Sequence, residues 1–271
     1  MQRYIKNRVF VVPLHKLVSL NNILMIDLEF FNNRRTVRKY NNNKISDSEL
    51  NKMLEAAFRA PTTGNMQLYS VVVTRSDAGK KALSPAHFNQ PSVTGCDVLL
   101  TFCADFNRFE KWCKISDAKP GYNNFQSFMT AVIDTLLVAQ QFCTIAEMSG
   151  LGCCYLGTTT YNAPQISEIL KLPKRVVPVT TLTLGYPDGD SPLSDRLSAD
   201  AIIHRGHYRD YSDEVIKSYY AEKESRDDSR RFVEENGKKS LAQVFTDVRY
   251  PKINNEAFSD IYMEFIKNQG Y

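Results

Sequence analysis

The 271-residue sequence lacks long hydrophobic runs and lacks cysteines at C-x-x-C spacing. Its longest apolar runs, such as 98–103 and 71–73, fall far short of the ~18 residues that a membrane-spanning helix needs. Near the N-terminus, Pro13 and Lys16 interrupt the apolar stretch, and no signal-peptide cleavage site follows. The six cysteines contain no C-x-x-C pair, and several lie in apolar runs. We therefore predict a reduced, cytoplasmic protein with no disulfide framework and no membrane segment.

Several catalytic motifs are also missing. There is no H-E-x-x-H, and the His204-x-x-His207 pair has no cysteine or carboxylate at ligand spacing, so we predict no metal site. No G-x-S-x-G elbow and no G-x-G-x-x-G fingerprint occur. Residues 152–159 have the glycine spacing of a P-loop but place Thr158 where the phosphate-binding lysine belongs. These absences argue against metalloprotease, serine-hydrolase, nucleotide-hydrolase and dinucleotide-fold chemistry.

Positive charge is concentrated at one end of the chain. Residues 1–40 hold eight Lys and Arg against Asp27 and Glu29, a net charge of +6, while the whole chain carries +4. The other 231 residues therefore sum to −2. A nucleic-acid binder normally spreads basic residues along a whole face with aromatic residues between them. We therefore predict no nucleic-acid partner and a local anion site instead.

The hydrophobic pattern predicts both helices and strands. Ser46-x-x-Glu49 forms a capping box ahead of a helical apolar stripe that Pro61 ends. A second apolar helix of about six turns is predicted over 127–149. Runs rich in β-branched residues predict strands at 70–74 and 176–184, and the apolar run at 97–103 predicts a buried strand. The C-terminal part predicts helices at 213–225, 229–237, 240–247 and 256–268.

Two polar segments carry the clearest chemistry. Residues 34–38 place three arginines and a threonine within five positions, and guanidinium is the best planar donor for a phosphate group. Residues 60–67 form a loop with two hydroxyl and two amide side chains, and amides suit the edge of a heterocycle. An exposed basic turn and ordinary turn chemistry are the alternative explanations for these segments.

Four motifs in order resemble the FMN-dependent nitroreductase family. They are residues 34–40 (RRTVRKY), 60–67 (APTTGNMQ), 150–157 (GLGCCYLG) and 172–187, which includes the turn LGYP. The resemblance covers roughly residues 27–204, and the tail resembles that of a nitroreductase-like subfamily of anaerobic gut bacteria.

This resemblance implies an α+β fold, a three-layer sandwich whose mainly antiparallel central sheet is flanked by helices. It also implies a homodimer with FMN at the interface. We divide the chain into an N-terminal extension (1–24) that we predict to be dispensable, an FMN-binding domain (25–204) and a helical C-terminal extension (205–271) that packs on the dimer.

The resemblance assigns the arginines near the N-terminus to FMN. Arg34, Arg35 and Thr36 would hold phosphate and ribityl oxygens, and Arg196 resembles the family's late phosphate-binding arginine. Arg38 would lie near the flavin pyrimidine. A fixed cation there stabilises the negative charge that reduction places on that edge of the ring.

Two further segments would contact the ring. Pro61, Thr62 and Thr63 would reach FMN held mainly by the partner chain, while Gln67 and Asn65 would bond the ring edge. In the 150–157 motif and just beyond it, Leu156, Gly157 and Thr158 would line the other face of the ring and offer a backbone N–H to the hydride-accepting nitrogen.

The implied activity is ping-pong hydride transfer from NADPH or NADH to FMN and then to a small-molecule acceptor such as a nitroaromatic or a quinone. No catalytic side-chain nucleophile is required, because the cofactor supplies the chemistry. Two alternatives remain: other flavin chemistry of the same fold (dehalogenation, flavin cleavage, azoline oxidation), or a non-catalytic flavin-binding protein.

Overall fold

A computed structural model describes residues 28–271. The prediction that residues 1–24 are dispensable lies outside these residues. The chain divides into two units between Arg35 and Thr36. In the first unit, the described residues are 28–35, which begin with a short helix, α1 (Leu28–Asn32).

The second unit, Thr36–Tyr271, contains a four-stranded sheet and the remaining helices. The strands are β1 (Tyr69–Thr74), β2 (Val98–Asp105), β3 (Gly152–Leu156) and β4 (Val176–Gly185). The helices are α2 (Asp47–Ala57), α3 (Asp77–Leu83), α4 (Pro91–Gly95), α5 (Asn107–Ile115), α6 (Phe125–Met148), α7 (Thr158–Tyr161), α8 (Ala163–Ile169), α9 (Asp213–Ser225), α10 (Asp227–Glu235), α11 (Leu241–Val244) and α12 (Lys252–Gln269). A π-helical turn, Phe245–Arg249, follows α11.

The sheet has the strand order β1-β2-β4-β3, and every neighbouring pair is antiparallel. The two central strands, β2 and β4, are buried along their whole length. Their register shifts at Phe102 and Cys103, opposite Pro178. Proline has no N–H to donate to a strand ladder, so a bulge is the ordinary way to place one in a central strand.

Helices cover both faces of the sheet. On one face, α2 and α6 contribute Leu50, Leu54 and Phe142 to a cluster with Leu100 and Leu182. On the other face, α3, α4 and α8 form a second cluster whose centre includes Leu83, Val93 and Ile166. Helices on both faces of one antiparallel sheet make a three-layer α+β sandwich, as predicted.

Most predicted elements are present, with shifted ends. Ser46 caps α2, since its Oγ accepts the Glu49 N–H at 3.1 Å, but the helix ends at Ala57, before Pro61. The strands predicted at 70–74, 97–103 and 176–184 are confirmed as β1, β2 and β4. The helix predicted over 240–247 is in fact a four-residue helix followed by the π-helical turn.

The C-terminal helices divide into two groups. Helix α12 packs on the core of its own chain, where Ile266 is buried beside Phe106 and Phe128. Arg175 anchors the end of the chain, because its guanidinium donates to the Gly270 carbonyl at 2.6 Å. Helix α9, in contrast, contains no buried residue.

Within residues 28–271, one helix is long and apolar enough to cross a bilayer by length and composition, namely α6. About 44% of its most hydrophobic window is buried inside the fold. Phe128, Val138 and Phe142 are among its buried side chains. We therefore interpret its apolarity as that of the central core helix predicted from the sequence.

Candidate functional site

The segment after Arg35 lies beside β3. The Val37 N–H donates to the Cys153 carbonyl at 3.0 Å, and the segment then crosses to the end of β4, where Tyr40 pairs with Pro187. Gly152 makes this approach possible, because a Cβ there would lie 2.5 Å from Val37. Thr36 and Arg38 flank Val37, so close packing against β3 fixes the backbone of both predicted FMN residues. The Arg38 side chain is exposed.

The loop that precedes β1 contains the predicted residues Pro61, Thr62, Thr63, Asn65 and Gln67. The hydroxyls of both threonines donate to Asp134, a buried carboxylate on α6, at 2.5 and 3.0 Å. Because both hydroxyl protons point into the protein, these threonines can donate no further hydroxyl hydrogen bond to a ligand.

The amides in this loop point the other way. Asn65 and Gln67 are exposed, and their side chains approach each other, with Gln67 Nε2 3.4 Å from Asn65 Oδ1. Arg108 also holds the loop, since its guanidinium donates to the Gln67 and Tyr69 carbonyls. Gln67 Nε2 donates to the Asn65 carbonyl and to Asn65 Oδ1, so the groups that the loop offers to a ligand are the Asn65 Nδ2 donor and the Gln67 Oε1 acceptor. A donor and an acceptor together suit the edge of a heterocycle.

The third predicted segment follows β3. Leu156 is buried at the end of the strand, and Gly157 begins a sharp turn into α7 with open space where a side chain would stand. The Thr158 hydroxyl is 2.9 Å from Nδ1 of His87. Beyond Thr158 lies a cleft of about 350 Å³ with aromatic walls that include Tyr161 and Phe258.

His87 supports this turn from the protein interior. The imidazole is completely buried, and its Nε2 has no hydrogen-bond partner. Burial lowers the pKa of His87 to about 4, because the protein interior lacks the water that would stabilise the charged ring. The ring is therefore neutral near pH 7.

The remaining predicted arginines are near the surface. Arg34 is half-buried and Arg35 is exposed, both in the first unit. In the second unit, Arg196 is exposed, and its guanidinium donates to the Asp195 carbonyl at 2.8 Å.

The two ring-binding segments lie toward the same end of the sheet but on opposite outer strands. Because each neighbouring pair in the order β1-β2-β4-β3 is antiparallel, β1 and β3 run in opposite directions, and β1 begins toward the end of the sheet where β3 finishes. Three strand spacings separate them, at least about 14 Å. One chain thus keeps the loop at 62–67 and the turn at Gly157 apart from each other.

Two buried polar residues of this region, Asp134 and His87, are not among the site residues predicted from the sequence. Asp134 is the lone acidic residue within the first five turns of an otherwise apolar helix, and that isolation is a usable signal. His87 has no such signal, because its partner Thr158 is 71 positions away. A hydrogen bond over that separation is visible only in the folded chain.

The fold and the polar loops at one end of its sheet are those of the nitroreductase class of α+β proteins. The model of the Nitroreductase family matches residues 32–186, and the chain belongs to this family.

Relatives and solved structures extend this similarity. The oxygen-insensitive NADPH nitroreductase of Salmonella typhimurium is 30% identical over 192 residues, covering 71% of this chain and 78% of the relative. A crystal structure of an oxidoreductase from Bacteroides fragilis has 54% identity and a TM-score of 0.88, covering 89% of this chain and 98% of that chain. B. megaterium NfrA1 has 29% identity and a TM-score of 0.76, covering 90% and 98%.

Proposed function

We propose that the chain is an FMN-dependent NAD(P)H oxidoreductase that reduces nitroaromatic, quinone or similar small-molecule acceptors in a ping-pong cycle. Family membership supports this function. So do the names of relatives, which include an NADPH nitroreductase and an FMN reductase (NADPH) of Bacillus subtilis that is 29% identical over 211 residues. The single observation that carries the proposal is the loop at 62–67, whose two amides face outward while its hydroxyls are held from inside.

The residues present suit FMN. The Asn65 and Gln67 amides match the alternating donors and acceptors of a flavin edge. Gly157 leaves open space beside its backbone, so a flat ring has room there. FMN, when bound, supplies hydride acceptance and electron transfer, which protein side chains alone do not provide.

Each group of residues has a separate task. Arg34, Arg35, Thr36 and Arg196 bind phosphate and ribityl oxygens. Arg38 supplies positive charge beside the pyrimidine edge, where reduction adds negative charge. Gly157 and Thr158 line one ring face, with the buried Leu156 beneath them. Pro61, Thr62 and Thr63 approach FMN held mainly by the partner chain, through atoms other than their hydroxyl protons.

A homodimer completes this site. Helix α6 exposes an apolar stripe (Met129, Ile133, Leu136 and Leu137), and each of these side chains is 36–52% exposed. A contiguous apolar stripe on a helix favours burial against a partner. The separation of the loop at 62–67 from Gly157 within one chain also supports a site shared by two chains.

The helices α9 to α11 extend the same interface. Helix α9 has no buried residue, and a groove of about 450 Å³ runs between it and α11, lined by Ile216, Tyr220 and Leu241. We propose that this part of the C-terminal extension packs on the second chain. The buried positions of all six cysteines support a reducing, cytoplasmic location.

Isolation of the protein tests this function. We expect a yellow protein whose released chromophore is FMN and whose visible absorbance is bleached by NADPH or NADH under nitrogen. Assays with nitrofurazone, menadione and free flavin then sort the acceptors. A protein that is colourless and binds no added FMN would contradict the proposal, while bound FMN that neither nucleotide bleaches would indicate a non-catalytic flavin-binding protein.

A further inference from the structure

Asp134 makes an unusual set of contacts for a buried acid. It lies in the middle of α6 and is 1% exposed. Its Oδ1 accepts the Thr63 N–H at 2.9 Å and the Thr63 hydroxyl at 3.0 Å. Its Oδ2 accepts the Thr62 hydroxyl at 2.5 Å and the Leu68 N–H at 3.3 Å. All four donors belong to the loop at 62–68.

The Thr62 hydroxyl extends this network by one further step. It donates to Asp134 and accepts the Gln67 N–H at 2.9 Å. The backbone of Gln67 is therefore tied to the carboxylate through Thr62. A hydroxyl has one proton and two lone pairs, so both contacts are made at once.

Three residues of the loop have a left-handed backbone conformation. Gly64, Asn65 and Gln67 have φ values of +55°, +56° and +54°. Glycine adopts this left-handed region freely and asparagine tolerates it, whereas a residue such as glutamine is seldom found there. Gln67 keeps this conformation only where surrounding contacts determine it.

We infer that Asp134 is a positioning residue for the flavin site: its carboxylate, through Thr62 and Thr63, fixes the left-handed loop that presents the Asn65 and Gln67 amides to the ring edge. The inference rests on the proposed function, since it assigns a purpose to a contact within the proposed FMN-binding loop. Recognition of the ring edge would then depend on Asp134, a core residue of α6, although none of the residues proposed to contact FMN lies on that helix.

A carboxylate suits this role better than the amide of the same shape. It offers two acceptor oxygens and no donor, and it faces four donors. An Asp134→Asn variant has one acceptor oxygen, and its NH2 group faces at least one donor of the loop. Buried donors left without an acceptor are costly, so the loop leaves this conformation.

Three variants test the inference. Asp134→Asn alters the carboxylate, and Thr62→Val removes the linking hydroxyl from a half-buried loop position without changing α6. Thr135→Val is the matched control, because Thr135 is the next residue of the same helix, is also buried, and donates its hydroxyl to the Ala131 carbonyl of that helix. Thr62→Ser keeps the hydroxyl and serves as the rescue variant.

The first readout needs no flavin. Hydrogen exchange of the Thr63, Gln67 and Leu68 amides, measured in protein stripped of FMN, is expected to speed up by about tenfold or more in Asp134→Asn and Thr62→Val, and to stay unchanged in Thr135→Val and Thr62→Ser. The second readout is the dissociation constant of FMN, from fluorescence titration, and its reduction potential. We expect the dissociation constant to rise by about tenfold in the first two variants, with a shifted potential.

The possible outcomes separate the two claims. Suppose that the wild type binds FMN, but that neither Asp134→Asn nor Thr62→Val changes the hydrogen exchange of the loop amides or the reduction potential of FMN. That result would overturn the positioning role and leave the proposed function intact. The positioning role would also be overturned if Thr135→Val shifted the reduction potential of FMN as much as Asp134→Asn and Thr62→Val do. A wild-type chain that binds no FMN overturns the proposed function and this role with it. If Asp134→Asn does not fold, Thr62→Val alone decides.

Discussion

At the scale of single residues, Arg38 is the charge whose proposed task is easiest to isolate. It is exposed on a segment whose backbone is fixed through Val37, so its removal leaves the fold intact. For Arg38→Ala we expect flavin reduction to slow by about tenfold to a hundredfold, because one charge-assisted contact contributes roughly 1.5–3 kcal/mol. We expect FMN affinity to fall less, since other arginines bind the phosphate.

Stopped-flow reduction by NADPH measures the effect of Arg38→Ala. Lys39→Ala is the control, because Lys39 is the next residue, exposed and of the same charge. Equal reduction rates in the Arg38 variant and the parent would rule out the assigned role of Arg38.

His87 makes stability depend on pH. Its pKa in the folded chain is lowered to about 4 by burial, whereas an ordinary histidine has a pKa of about 6.5. Between these values the unfolded chain binds a proton that the folded chain does not, so the free energy of unfolding falls as the pH falls. We expect a loss of about 2 kcal/mol from this residue between pH 7 and pH 5.

Urea unfolding at both pH values, under identical flavin conditions, tests this for the wild type and for His87→Asn. Asparagine preserves a polar atom near the Nδ1 position that contacts Thr158 but does not titrate. Between pH 7 and pH 5, the free energy of unfolding of His87→Asn is expected to fall by about 2 kcal/mol less than that of the wild type. The same pH dependence in both proteins would show that His87 is not the source.

At the scale of elements, the contact between β3 and the segment at 36–38 depends on one glycine. A Cβ at Gly152 would lie 2.5–2.7 Å from three Val37 side-chain atoms, and the segment has a hydrogen bond to β3 that keeps it in place. We expect Gly152→Ala to lower stability by about 1–3 kcal/mol, as overpacking does, and to weaken FMN binding through Thr36 and Arg38.

Thermal unfolding and FMN titration of Gly152→Ala provide the measurement. Gly95→Ala is the control, since a Cβ there would contact nothing within 4 Å beyond its chain neighbours and its own helix backbone. If both variants are equally stable and bind FMN equally, the close approach at β3 does not position this segment.

At the scale of the whole molecule, the apolar stripe on α6 predicts where two chains meet. Ile133 is 52% exposed, so a glutamate there is well solvated in an isolated chain but is buried in a dimer. We expect Ile133→Glu to raise the dimer dissociation constant by about a hundredfold or more, and to lower FMN affinity with it.

Sedimentation velocity over a range of protein concentrations measures this effect. Ile115→Glu is the matched control, because Ile115 is 82% exposed on α5 and lies outside the stripe. A dimer that survives Ile133→Glu unchanged would exclude the stripe as the interface.

The local elements of the molecule follow from the sequence for local reasons. The cap at Ser46 and the stripe after it specify α2, because a cap and a 3.6-residue period are properties of neighbouring residues. β-branched runs likewise specify β1 and β4, and a continuous apolar run specifies the buried β2. Ordered motifs in the sequence also predicted family membership, which the family model confirms over residues 32–186.

Only the tertiary structure decides which elements meet. Leu100 pairs with Leu182, and Asp134 binds Thr62, across separations that no local period records. Periodicity states which side of a strand or helix is buried but not what covers it. The strand order, the tie from Asp134 to the loop and the burial of His87 beside Thr158 are therefore consequences of packing, because each depends on which surfaces exclude water together once the chain has folded.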